Sequence, residues 1–195
     1  MTNFTLPMAA AILLAIPTVA SAQALPAPVI AVVNVQRAMT SCNACKTALT
    51  QLETQVNSLK SLQTSLETSL RTEANSIQTA VNALAGKQPD AALNARAQAF
   101  EKKQADSQRQ LQTREQTFQR NRAHVLQQIS TKLDPVLTSV LARRNATVML
   151  DTTNVIRSAP SIDVTNDVIA GLNASLTTLS TTAPAQAQPT APQGR

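Results

Sequence analysis

From Ala38 onward, apolar side chains recur in alternating steps of four and three residues. Cys42, Cys45, Leu49, Leu52, Val56, Leu59, Leu66, Leu70, Ile77, Ala80 and Leu84 keep the stripe, and only Gln63 and Glu73 interrupt it. No other feature of the sequence constrains the fold as much. A repeat of 3.5 residues draws one straight seam along a helix, and a seam this long needs another helix to cover it. The following residues supply one. "AGKQPD" (Ala85–Asp90) ends the first helix: Gly86 suits a left-handed position, Pro89 cannot continue the helix, and Asp90 can cap the next. A second, sparser stripe then runs through Leu93, Ala97, Phe100, Leu111, Phe118, Val125, Ile129, Leu133, Val136 and Val140, with a polar middle from Glu101 to His124. A short loop between long helices makes them an antiparallel hairpin. Arms of about 45–50 residues, at about 1.5 Å each, reach on the order of 70 Å. Pro135 predicts a kink, or a stop and restart with Asp134 as cap and Pro135 as first residue.

The composition agrees with long helices and not with a packed sandwich. There is no Trp or Tyr, Phe occurs three times, and Gly86 and Gly171 are the only glycines before the terminal "QGR".

Either side of the hairpin the character changes. "VIAVVNV" (Val29–Val35) is a continuous β-branched run and predicts a buried strand. "ATVMLDTTNVIRSAP" (Ala146–Pro160) predicts two more strands about a turn near Thr152–Asn154. "SIDVTNDVIAGLNASL" predicts a short helix capped by Thr165 or Asp163, with Val168, Ile169 and Leu172 inward. "STTAPAQAQPTAPQGR", from Ser180, has the composition of a disordered tail. At the other end, Met8–Ala20 is an apolar run followed by "ASA", which predicts a cleaved secretory signal. The expected organisation is a signal sequence over 1–22 and a linker over 23–28. A body strand over 29–36 precedes the hairpin arm over 37–144, whose tip is near 85–90. Body strands and a short helix fill 145–179, and the tail 180–195.

Without the hairpin, about 45 residues remain, and chains near that size seldom fold unaided. Their strands are apolar on both faces. We therefore expect several protomers to pool strands into one body through Ile30, Val32, Val33, Val35, Val148, Leu150, Val155 and Ile156. The alternative is that the strands pack on the base of their own hairpin.

The formal net charge is +6. Basic residues concentrate on the second helix, where Arg96, Lys102, Lys103, Arg109, Arg114, Arg120 and Arg122 form a row opposed by few carboxylates. Such a surface attracts nucleic acid, anionic lipid or acidic polypeptide. Export makes nucleic acid the least expected partner. The sequence has no Gly-rich phosphate loop, metal constellation or nucleophile–base arrangement, so neither a cofactor nor an enzyme activity is expected.

This arrangement resembles the Skp/OmpH family of periplasmic chaperones. The likeness rests on the signal, on "IAVVNVQRAM" as first strand and on a long hairpin with "RAQAFE" early in its second helix. The closing "ATVMLDTTNVIRSAPSIDVTNDVIAGLN" completes it. The resemblance implies a mainly α fold with a small β body (α+β), in which a coiled-coil hairpin projects from a barrel-like oligomeric body. It further implies a homotrimer whose arms surround a cavity. The implied activity is an ATP-independent holdase for unfolded outer-membrane β-barrel proteins, with the basic row attracting the client. Association with anionic lipid or lipopolysaccharide is implied too, and Arg96 falls at a matching position, whereas Asp106 and Ser107 depart from the expected basic residues. Two rivals stand beside this reading: a structural envelope spacer, and an exported thiol oxidoreductase.

The second rival would act through Cys42 and Cys45. These lie in phase with the stripe, in a compartment that permits disulfides. Three uses compete. The favoured one is a structural pair, packed or disulfide-bonded. A thioredoxin-type C-x-x-C would gain from a helix N-terminus but lacks the surrounding βαβ units. Metal binding lacks a second ligand pair, because His124 lies far along the other helix.

Overall fold

The computed structural model describes residues 27–185. The expected signal sequence (1–22) and the tail beyond 185 lie outside the described residues. In chain order the elements are strand β1 (Ile30–Val33), helices α1 (Val35–Ser41), α2 (Asn43–Ala83) and α3 (Ala91–Arg143), strand β2 (Val148–Asp151) and helix α4 (Thr165–Ser175). Single 3-10 turns occupy Thr152–Asn154 and Pro160–Ile162. The fold is α+β and mainly helical, as the sequence reading has it. The hairpin α2–α3 dominates: at about 1.5 Å per residue its limbs are roughly 60 and 80 Å long.

The first correction concerns where strand gives way to helix. β1 ends at Val33, and Val35, read from sequence as strand, is the first residue of α1. Asn34 makes the switch: its side-chain oxygen accepts from Arg37 N at 2.7 Å, satisfying an amide the new helix leaves over. Nor does the seam start as one helix at Ala38. The backbone of Cys42 is extended (ψ 151°), which separates α1 from α2. The break is capped from outside, since Asn173 Oδ1 on α4 accepts from Asn43 N at 2.7 Å.

At Pro135 the stop and restart, one of the two outcomes expected there, does not occur. α3 passes through it without a stop, and Asp134 caps nothing. An interior proline costs a helix about 3 kcal/mol. Leu133, Val136 and Val140, on either side of it, are all buried in the core, and each such side chain contributes roughly 1.5–3 kcal/mol. Burial outweighs the missing amide. At the tip, Gly86 has φ +90° and Asp90 Oδ1 accepts from Leu93 N at 2.7 Å, opening α3. At the base, α3 ends on Asn145 in a left-handed conformation (φ 50°), a residue type that tolerates it.

The sheet has two parallel strands, paired Ile30↔Val148 through Val33↔Asp151, with the whole hairpin as their crossover. The third strand expected through Val155 and Ile156 is not formed. Asp151 instead accepts from Thr153 N and Oγ1, both at 2.8 Å, and turns the chain away. The other edge of β1 is already taken, by a bridge from Val32 to Asp163 and a 2.9 Å bond from Val164 N to Val32 O. Residues 155–156 thus join neither edge of the sheet.

The core lies where these pieces meet the foot of the hairpin. Ala31 and Val33 of β1, the first turns of α2, the last third of α3, and Val168 and Leu172 of α4 form one buried cluster. The body is thus not a separate unit of about 45 residues. It shares its interior with the hairpin base.

Candidate functional site

Towards the tip, beyond Gln55 and Asn121, the hairpin is a two-helix coil. Leu52 is the last fully buried position of the α2 seam. From Val56 to Leu84 the seam residues are only half covered, because two helices cannot enclose what lies between them. The polar interruptions of the stripe have local answers. Glu73 accepts from Arg96 Nε at 2.7 Å, and Arg96 also donates to Ser76 Oγ at 2.7 Å. The hydrogen bond from Arg96 holds the Glu73 carboxyl below the usual carboxylate range. Gln63 bonds Glu67 one turn on, at 2.8 Å. Nearer the base, buried Asn121 donates to Gln55 Oε1 at 2.9 Å, a cross-hairpin amide pair that fixes register.

These contacts divide the basic row. Arg96 is committed to Glu73 and Ser76, and Lys103 donates to Ser69 Oγ at 2.6 Å, so both tie the hairpin together. Arg109 pairs with Asp106 at 3.3 Å and Arg120 with Thr117 at 3.0 Å, on their own helix. Among the described residues, Lys102, Arg114 and Arg122 are exposed without such partners. Arg114 borders a cleft of about 420 Å³ between the helices, with Leu59, Leu62, Phe118 and Asn121. Arg122 borders a smaller apolar hollow of about 250 Å³, with Leu49, Val56 and Leu126.

The residues expected to build an oligomeric body also divide. Val32 and Val33 are buried within the protomer, and Val35 packs against the same core. Ile30 (42% exposed), Val148 and Leu150 (38% each) point outward, and Ile156 is fully exposed. Val155 is half-buried. β2 pairs only with β1, so its far edge carries unpaired backbone beside Val148 and Leu150.

Cys42 and Cys45 form a disulfide at the α1–α2 break, and both are fully buried. Thiol exchange requires an attacking thiolate to reach a sulfur. Core residues surround this pair, and neither sulfur is exposed to solvent. Among the described residues no group of three metal-ligating side chains occurs, and no helix is long and apolar enough to cross a membrane.

One feature escaped the sequence reading. Residues 177–185 leave α4 and run along the hairpin as an irregular strap, where a tail was expected from Ser180. Leu176 is buried and Leu179 packs on the core. Beyond them Gln128 grips Ser180 twice: Nε2 donates to its carbonyl (2.8 Å) and Oε1 accepts from its amide (3.0 Å). Gln55 donates to the Thr181 carbonyl at 3.1 Å, Gln51 accepts from the Thr181 hydroxyl at 2.8 Å, and Asn121 accepts from Ala183 N at 2.9 Å. The only signal in the sequence was a set of amide side chains beside the seam.

The sequence model of the OmpH-like outer membrane proteins matches residues 29–172, most of the chain and nearly all of the described fold. The chain belongs to the OmpH-like family. Among solved structures, the fold is similar to a crystal structure from Caulobacter crescentus CB15, assigned as an OmpH-like outer membrane chaperone. The TM-score is 0.67 at 24% identity, over 80% of this chain and 90% of that one. No curated protein matches. The OmpH-like match ends at Leu172, so the strap lies beyond the part the family model describes.

Proposed function

We propose that this OmpH-like protein is an ATP-independent periplasmic holdase that keeps unfolded outer-membrane β-barrel proteins from aggregating, working as a homotrimer. The observation that carries the reading is the arm itself: a tall two-helix hairpin of this family whose seam beyond Leu52 stays half open beside exposed Lys102, Arg114 and Arg122. Unfolded β-barrel chains present alternating apolar residues and unpaired strand edges. Half-covered Leu and Val positions meet the apolar residues through many weak contacts, while the cations supply longer-range attraction. No single contact is strong, so release needs no nucleotide.

The free edge of β2, with Val148, Leu150, Ile30 and Ile156 outward, supports association of protomers base to base. A two-stranded sheet with such an edge attracts another strand. Three arms around a common axis would then enclose the client. Anionic lipid is a further partner of the exposed cations. Support for lipopolysaccharide at Arg96 is weaker, since Glu73 neutralises that guanidinium.

The test is dilution of a urea-denatured outer-membrane β-barrel protein into the mature protein without nucleotide, followed by light scattering. Aggregation should be suppressed at low salt and progressively less as added salt screens charges beyond roughly 8–10 Å. A passive spacer would leave aggregation unchanged. Retention of activity by Cys42→Ser would dispose of the oxidoreductase reading.

A further inference from the structure

Beyond Leu179, whose side chain packs on the core, the strap is bound to the hairpin chiefly through its own backbone. Of its bonds to Gln51, Gln55, Asn121 and Gln128, only the one to Gln51 uses a strap side chain. The remainder go to the amide and carbonyl of Ser180, the carbonyl of Thr181 and the amide of Ala183. Any non-proline residue offers those groups. Gln128 and Asn121 stand one heptad apart on α3, about 10.5 Å, and the strap bends at Thr181 and Thr182 between these two grips.

The groove does not end where the strap does. Ala183 bonds to Asn121, and Asn121 and Gln55 also line the cleft of about 420 Å³ that continues towards the tip. Ser58, Thr117 and Arg114 offer polar groups along it, and Leu59, Leu62 and Phe118 an apolar floor. The strap thus fills the lower part of a longer channel.

We propose that this channel is a binding site for unfolded polypeptide, read through the main chain, and that the strap is its resident occupant which an unfolded client displaces. The inference rests on the holdase reading and gives it a place on the arm. Backbone recognition suits a protein whose clients share no sequence. A resident strap also shields the amide row when no client is present, and lowers apparent client affinity by the fraction of time the channel is closed.

The experiment uses the full mature chain carrying Ser180→Pro and Ala183→Pro, which removes two strap amides that the channel holds. A chain ending at Leu176 serves as second variant. The probe is a fluorescent peptide of residues 177–185, followed by anisotropy. Both variants should bind it on the order of tenfold more tightly than the unaltered protein, as expected if the strap leaves about one channel in ten open. A peptide that keeps Leu179 in place and scrambles the other residues should bind comparably, and a peptide N-methylated at the positions of Ser180 and Ala183 should not. Equal binding of the N-methylated peptide, or no binding by variants that retain native helical circular dichroism, would overturn the proposal. Aggregation suppression is scored separately on the unaltered protein. Its failure would strike the holdase reading, whereas suppression without peptide binding would strike the channel alone.

Discussion

At the scale of residues, the base depends on a few polar groups in apolar surroundings. Thr165 is almost fully buried; its hydroxyl accepts from Asn34 N at 2.9 Å and donates to Asp163 Oδ1 at 2.5 Å. One hydroxyl therefore joins the end of β1, the start of α1 and the start of α4. Thr165→Val keeps the shape but orphans Asn34 N, and should cost about 1–3 kcal/mol in urea denaturation. Hydrogen bonds from the side chain and backbone of Thr165 hold the Asp163 carboxyl below its ordinary value of 3.8. A carboxyl depressed on folding adds stability at pH above its unfolded value, and that stability is lost as pH falls through the folded value. The midpoint of unfolding should therefore drop below about pH 4, and Asp163→Asn should flatten part of that acid limb. The Cys42–Cys45 disulfide lies on the same buried floor. Reductant alone should leave it intact and reductant with denaturant should open it, as alkylation and mass measurement would distinguish.

At the scale of elements, α4 and α3 meet with no spare room. A Cβ built on Gly171 would come within 2.7 Å of Val136 Cγ1. Gly→Ala inside a helix ordinarily gains up to about 1 kcal/mol. Here the β-branched Val136 cannot rotate away, and overpacking costs about 1–3 kcal/mol. Gly171→Ala should lower the thermal midpoint, and less so in a Val136→Ala background. The same scale decides what could be read from sequence. The hairpin was legible because its signals are local: a seam of constant period, then Gly86, Pro89 and Asp90 in order. The stop expected at Pro135 and the strand expected at Val35 did not form, because distant packing and an Asn34 cap overrode local preference. The strap was illegible for a related reason. "TTLSTTAPA" has the composition of a linker, and its partners lie from 52 to 130 residues away. Of the basic row, charge was visible in the sequence, but the commitment of Arg96 and Lys103 to the opposite helix was not.

At the scale of the whole molecule, the protomer presents an open strand edge at one end and a half-open seam along the other. If copies join through β2, Leu150→Asp should yield monomers by light scattering with helical circular dichroism unchanged, and aggregation suppression should fall with assembly. The hairpin also carries the chain from one strand to the next. Val29 N donates to Thr147 Oγ1 at 2.9 Å across 118 residues. Closing a loop of that length from a disordered chain would cost about 4 kcal/mol in entropy. Zipping from the turn at Gly86 downward spreads that closure over successive heptads and delivers both feet of the hairpin side by side. Folding should then begin far from the sheet and finish there. Arm length is for that reason a dial: matched heptads removed from both limbs would shorten its reach while the strands at the foot still found each other.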